Sequence, residues 1–266
     1  MKKAILSALM ILILFSCADE EKKDEIEILE FKQETVEKSF NNCDPENGDC
    51  TFISLSYPVA KNDGKISKKI NLEVESFLQN TVDFTEADSI QSPRKLVDQF
   101  LQNYERTAAD FPDYDLPWEA TILGKVIQQN EELVSMEFTT DMFTGGAHGY
   151  NSVSYLNFDA ETGRLLVVED LFSSEFIKKA EQDFRVKQNI PEGASINNTG
   201  FFFENEKFHL PANIGVYPGK IVLHYNAYEI APYSAGSFRM TYSRAEISEY
   251  LKTKETIEEQ YTRNLK

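Results

Sequence analysis

Residues 118–159 read WEATILGKVIQQNEELVSMEFTTDMFTGGAHGYNSVSYLNFD. Three extended runs stand out in this stretch, at 118–128, 133–143 and 151–159. Gln129-Asn130-Glu131-Glu132 suits a hairpin turn between the first two. Gly145-Gly146-Ala147-His148-Gly149 permits a tight corner before the third, because glycine tolerates the turns that other residues resist. The stretch therefore predicts an antiparallel meander.

Upstream, an extended segment starts at Ile26, Ile28 and Phe31, and 51–57 alternates like its antiparallel partner, with Pro58 expected to end it. Ile66, Ile70, Leu72, Val74, Phe77, Leu78 and Val82 recur at helical spacing over 66–84. A second helix is predicted over about 93–111, with Ser92 as N-cap, Pro93 at the first position and Leu96, Val97, Phe100, Leu101 and Tyr104 on one face. Downstream, Ala160-Glu161-Thr162-Gly163 reads as a turn and 164–168 as a strand pairing back. The spacing gives a helix over 170–189, a hairpin over 201–210 around Asn205, strands at 220–225 and 238–242, and a helix over 243–251. Strand runs and helices in separate blocks, joined mostly by hairpins, indicate an α+β protein with antiparallel sheets and packed helices in two intimate domains. A doubly wound fold does not fit. The expected division is 26–148 and 149–251, followed by a charged tail at 252–266.

The N-terminus has the grammar of an exported chain. Lys2 and Lys3 precede a twelve-residue run, Ala4 to Phe15, that is apolar except for Ser7. That run fits a signal peptide and is too short for the roughly 20 residues of a spanning helix. Leu14-Phe15-Ser16-Cys17 resembles a bacterial lipobox, so residues 1–16 are expected to be removed and Cys17 lipidated. The alternative is an ordinary signal peptide with an incidental cysteine. Residues 17–25 have no apolar side chain larger than alanine after the cysteine and read as a flexible tether. Ala18 at the second mature position is consistent with passage to the outer membrane, on either its periplasmic or its exposed side.

The whole chain has 44 acidic against 27 basic residues and a formal charge of −17; 41% hydrophobic and 12% aromatic content exclude a disordered protein. Such an acidic chain repels nucleic acid and attracts cationic partners. Besides Cys17 the only cysteines are Cys43 and Cys50, either side of Asp44-Pro45-Glu46-Asn47-Gly48-Asp49. In an oxidising compartment they are expected to form a disulfide at the end of a β-hairpin. A calcium loop is the competing idea, but the spacing matches no EF-hand.

Candidate chemistry is sparse. The histidines are His148, His209 and His224, with no i, i+4 pair and no HExxH, GxSxG or CxxC motif. His224 reads as a structural histidine in a strand core and His209 as a residue at a hairpin edge. Neither a zinc site nor any other metal or cofactor is expected. His148 sits in the glycine corner beside Tyr150, either as a hydrogen-bonded corner or as a ligand contact. Ser152, Ser154 and Asp141 could complete a triad, with no spacing that specifies one. Tyr150, Tyr217, Tyr228 and Tyr233 lie in or near Gly/Pro-rich segments and suit adaptable contact surfaces.

The Gly-Gly-Ala-His-Gly corner is followed by Asn157-Phe158-Asp159-Ala160-Glu161-Thr162-Gly163 and Glu169-Asp170-Leu171-Phe172. The stretch from Tyr225 to Gly236 (YNAYEIAPYSAG) follows later. These blocks resemble the paired extracytoplasmic domains of RsiV-type anti-sigma factors and PdaC-type peptidoglycan deacetylases, over about residues 27–251. The resemblance implies recognition rather than turnover, because neither a deacetylase domain nor an anti-sigma segment is present. It leads to the expectation of a non-enzymatic envelope lipoprotein binding a peptidoglycan fragment or a basic lysozyme-like protein. Gly146, His148, Tyr150, Tyr228 and Tyr233 are the expected contacts. A hydrolase using His148 and a structural subunit of an outer-membrane lipoprotein complex are the alternatives.

Overall fold

The computed structural model describes residues 29–82, 89–111, 113 and 116–252. The expected signal peptide, Cys17, the expected tether, Ile26 and Ile28 of the first extended segment, and all of the tail except Lys252 lie outside them. In chain order the elements are β1 (Phe31–Ser39), β2 (Phe52–Ala60), α1 (Lys65–Val82) and α2 (Pro93–Asp110). Next come β3 (Glu119–Gln129), β4 (Leu133–Phe143), β5 (Tyr150–Asp159), α3 (Val168–Leu171) and α4 (Ser174–Lys187). A second group of strands, β6 (Asn213–Tyr217), β7 (Lys220–Tyr225) and β8 (Phe238–Ser243), completes the chain.

The fold is α+β, with a five-stranded sheet ordered β1-β2-β3-β4-β5 and a three-stranded sheet ordered β6-β7-β8. Every pairing is antiparallel except β2–β3, which is parallel. The exception follows from connectivity: α1 and α2 together return the chain to the end of the sheet where β2 began. The division expected at residues 148/149 falls just before β5, which pairs with β4 over its whole length and so lies in the first sheet.

One face of the first sheet presents Ile53, Leu55, Ile122, Met136, Phe138 and Phe158 to Ile70, Val74 and Leu78 of α1 and Leu96 and Phe100 of α2. Each such fully buried side chain contributes roughly 1.5–3 kcal/mol of transfer free energy. A second core packs Phe176, Ala180 and Phe184 of α4 against Leu223, Tyr225 and Tyr242 of the second sheet. The two sheets meet where β6 covers the outer face of β4 and β5. There Asn157 takes Oγ–H of Ser135 at 2.7 Å and donates to the Ile214 carbonyl at 2.7 Å. Gly215 makes the close approach possible: a Cβ there would stand 2.6 Å from the Tyr155 ring.

Several local expectations are corrected. Pro58 does not end β2, which runs on to Ala60. On the β3 side Phe52 N–H donates to the Trp118 carbonyl at 2.9 Å, so even-numbered β2 residues are the donors to β3. Position 58 would donate to the Gly124 carbonyl, and proline has no N–H. The Gln33 side chain fills that place, its Nε2 lying 2.9 Å from the Gly124 oxygen.

The 164–168 segment makes one bridge, Leu165 to Phe158, before the Asp170 carboxylate turns it into α3 by accepting Val167 N–H at 2.9 Å. The long helix starts at Ser174, not Asp170. Backbone at 171–173 is already bonded to the C-terminal segment, with Ser173 N–H on Tyr250 O at 2.8 Å and Lys252 N–H on Leu171 O at 2.9 Å. For the same reason 243–251 forms turns and one short 3₁₀ helix, Ser248–Tyr250, rather than a helix over its whole length. No strand ladder forms over 201–210; Asn197 clamps Phe203 from both sides, at 2.8 and 3.0 Å. Sequence reading missed β6, where Gly215 looks like a strand breaker.

Cys43 and Cys50 are joined in a disulfide, Cα–Cα 5.6 Å, across the β1–β2 connection. No described helix is long and apolar enough to cross a membrane.

Candidate functional site

The β4–β5 corner owes its path to Gly145 and Gly146, at φ 93° and 97°, values that side chains disfavour. Space around Gly146 is open. The corner presents His148, whose Nδ1 lies 2.9 Å from the Gly149 carbonyl. A carbonyl only accepts, so Nδ1 carries a proton, and in that tautomer Nε2 is the acceptor. It faces the Tyr228 hydroxyl at 3.5 Å.

Tyr228 and Tyr233 come from the β7–β8 connection, which is docked on the outer edge of β5. Asn226 makes the dock by imitating a strand residue: its Oδ1 accepts Val153 N–H at 2.8 Å and its Nδ2 donates to Val153 O at 3.0 Å. His224 Nε2 donates to the same Oδ1 at 3.1 Å, which leaves Nδ1 a buried acceptor without a partner. Burial lowers the His224 pKa, reinforced by the nearby charge of Arg239. The Glu229 carboxylate closes the turn on Asn226 N–H at 2.9 Å, and burial raises its pKa.

The result is a cluster of three rings. His148 stacks on Tyr233, with centroids 4.0 Å apart and planes at 14°. Tyr228 lies 5.3 Å from Tyr233 and 6.1 Å from His148. The Tyr233 hydroxyl donates to Gly149 O at 3.2 Å, so one carbonyl anchors both members of the stack. Tyr228 is 58% exposed and has φ 72°, an outlying value for a bulky side chain. Tyr150, expected at the same surface, is exposed at the start of β5 opposite Met142.

Tyr217 ends β6, just before the Pro218-Gly219 turn, and its hydroxyl donates to Glu137. Tyr155 OH lies 3.2 Å from Tyr217 OH, and Lys125 pairs with Glu137 at 2.6 Å. Burial pushes the Glu137 pKa up, but the bonds from Lys125 and Tyr217 outweigh it and the net shift is downward. Burial raises the Tyr217 pKa, and so does its bond to the carboxylate. Sequence reading missed this cluster, although Glu137 between Met136 and Phe138 is an alternation that signals a charge on the opposite strand face. The cluster ties the two sheets together.

His148 turns its nitrogens to Gly149 and Tyr228, not to Asp141, Ser152 or Ser154, so no triad is assembled. His209 bonds the Leu210 carbonyl at 3.1 Å and lies against Phe203 and Tyr225. His224 is 4% exposed in the strand core. Among the described residues no three His, Cys, Asp or Glu side chains group as metal ligands.

Residues 45–151 match the family model described as Deacetylase PdaC. Residues 169–245 match the one described as Protein of unknown function (DUF3298). Among solved structures, a DUF3298 family protein from Pseudomonas aeruginosa superposes with a TM-score of 0.58 at 21% identity, covering 85% of this chain and 96% of that one. A DUF3298 family member from Bacteroides fragilis gives 0.59 at 18% identity, covering 85% and 94%. At these identities the likeness is one of fold. No curated protein matches. With the two models matched in succession, the chain carries a PdaC domain followed by a DUF3298 domain.

Proposed function

We propose that this chain is a non-enzymatic lipoprotein of the cell envelope, cut before Cys17, acylated there and anchored in the outer membrane. On this reading its folded body binds a cell-wall-related ligand, either a peptidoglycan fragment or a basic lysozyme-like protein. One observation carries the binding reading: two separate loops bring His148, Tyr228 and Tyr233 into a single ring cluster, with Tyr228 exposed and held in an unfavourable backbone conformation. Strain of this kind concentrates at binding sites. The hydrogen bonds of His148 to a carbonyl and a phenol support contact rather than proton transfer to a nucleophile.

Charge supports a cationic protein partner. Acidic residues outnumber basic ones by 23 to 10 across 29–159, but only by 12 to 10 across 160–252. The first domain would therefore steer a basic protein toward the molecule, increasingly so at low salt.

The test is co-sedimentation of the full chain, in detergent, with isolated sacculi and, separately, its binding to a basic muramidase over a salt series. Saturable binding to either, weakened at least tenfold by His148→Ala, supports the reading. Absence of binding to both overturns it. Intact-mass measurement of the mature chain checks the anchor, which requires a diacyl or triacyl adduct on Cys17.

A further inference from the structure

We infer that the ring cluster of His148, Tyr228 and Tyr233 is a stacking platform for a neutral sugar ring. The inference rests on the binding reading above and narrows it to one ligand chemistry.

Geometry excludes the obvious alternative for three clustered aromatics, a cage around a methylated ammonium. A cage needs a gap between ring faces, so that a cation can approach each face directly. Here no pair leaves such a gap: His148 and Tyr233 stack at 4.0 Å, and Tyr228 stands tilted beside them, its centroid 5.3 Å from Tyr233 and 6.1 Å from His148.

Charge argues against an anion. Among the described residues the cation–ring contacts lie elsewhere, Lys179 over Tyr242 and Lys220 over Tyr217. The chain as a whole is acidic, at −17. A carboxylate-bearing ligand would approach against the repulsive field of the acidic chain.

A pyranose ring has the matching chemistry. Its flat side carries several C–H groups, which the negative face of an aromatic ring attracts. Its rim carries hydroxyls. The platform offers the exposed Tyr228 ring with two polar atoms beside it, His148 Nε2 as acceptor and the Tyr228 hydroxyl as donor or acceptor. They stand 3.5 Å apart, at the limit of a hydrogen bond, so both remain available to a third group. The backbone supports the same assignment. Tyr228 is fixed at φ 72° by a turn whose flanking residues, Asn226 and Glu229, are bonded on several sides. A ring that stays 58% exposed gains little from packing, so the constraint serves its orientation toward solvent.

The experiment titrates the full chain in detergent with the β-1,4-linked tetramer of N-acetylglucosamine, following tyrosine ring resonances and heat. Tetramethylammonium and lactate serve as cationic and anionic comparisons. Expected is saturable tetramer binding, weakened at least tenfold by Tyr228→Ala and less by Tyr228→Phe, which keeps the ring face. Thermal unfolding of each variant establishes that it is folded. No saturation at millimolar tetramer, saturation unchanged in a folded Tyr228→Ala chain, or stronger binding of tetramethylammonium would each overturn the inference. If the sugar fails while sacculi or the muramidase still bind, this inference falls and the broader binding reading stands. If all fail, both fall.

Discussion

The side chain of Asn226 pairs with the backbone of Val153 as a neighbouring strand would, accepting its N–H at 2.8 Å and donating to its carbonyl at 3.0 Å. This pair closes the outer edge of β5 and fixes the loop that carries Tyr228. Asn226→Asp keeps the shape but replaces the donor with a charge facing the Val153 carbonyl. Loss of the bond and the unmet carbonyl together cost about 1–3 kcal/mol. Chemical denaturation is expected to show that loss, and the Tyr228 resonances are expected to broaden. Unchanged stability would mean that the loop is held by other contacts.

Much of this was legible in the residues, and what was not has identifiable causes. Strands β4 and β7 follow turn signals and apolar runs that involve only near neighbours, and their predicted limits coincide with the observed ones. His148 and Tyr233 could be singled out because glycine and proline mark their loops, yet their stacking depends on contacts 85 positions apart in the chain. The failures share one origin: a distant segment takes over backbone bonds that local pattern assigns elsewhere. Tyr250 and Lys252 occupy the groups around Leu171 that a longer helix would use, and Tyr155 requires a glycine in the middle of β6. Local periodicity carries no trace of such partners.

Gln33 substitutes for a missing backbone donor, and that role can be separated from ordinary packing. Gln33→Leu leaves the buried Gly124 carbonyl without its side-chain donor, which is expected to destabilise the protein by about 1–3 kcal/mol. Pro58→Ala in the same chain restores an N–H at the ladder position and is expected to recover part of the loss. A double variant no more stable than the single one would show that Gln33 acts only through its bond to Ser56 Oγ, at 3.0 Å.

His224 gives the fold an acid-sensitive edge. Its pKa is lowered mainly by burial, so at falling pH the unfolded chain takes up a proton before the native one does. The stability this neutral histidine supports is complete above its unfolded pKa, about 6.5, and declines as pH drops below it toward the folded value. Arg239, its cross-strand neighbour, opposes protonation, and Glu137 favours it. Thermal melts between pH 7.5 and 5 are expected to fall more steeply for the natural chain than for His224→Gln. Parallel slopes would remove His224 as the cause.

The contact between sheets depends on the absence of a side chain at 215. Gly215→Ala places a methyl group 2.6 Å from Cε1 of Tyr155, inside the range of real contacts, and Tyr155 is 5% exposed with little room to withdraw. Overpacking of this kind costs about 1–3 kcal/mol. Tyr155→Leu on the Gly215→Ala background is expected to give some of that back, although it also removes the hydroxyl beside Tyr217. If the two changes instead add their separate losses, the clash is not what Gly215 avoids.

Tyr228 separates stability from recognition most sharply. At φ 72° a tyrosine holds a conformation that glycine adopts freely, and the strain is of order 1–3 kcal/mol. Its ring is more than half exposed, so truncation forfeits little burial. Tyr228→Gly is therefore expected to leave stability unchanged or raise it by up to about 1 kcal/mol, the loss of unfolded-state restriction offsetting part of the relief. A residue kept for packing would behave oppositely, because its removal would lower the melting temperature. Stability retained alongside tetramer binding lost would mark Tyr228 as a position maintained for contact. A clear drop in stability would return it to the structural role of supporting the loop above β5.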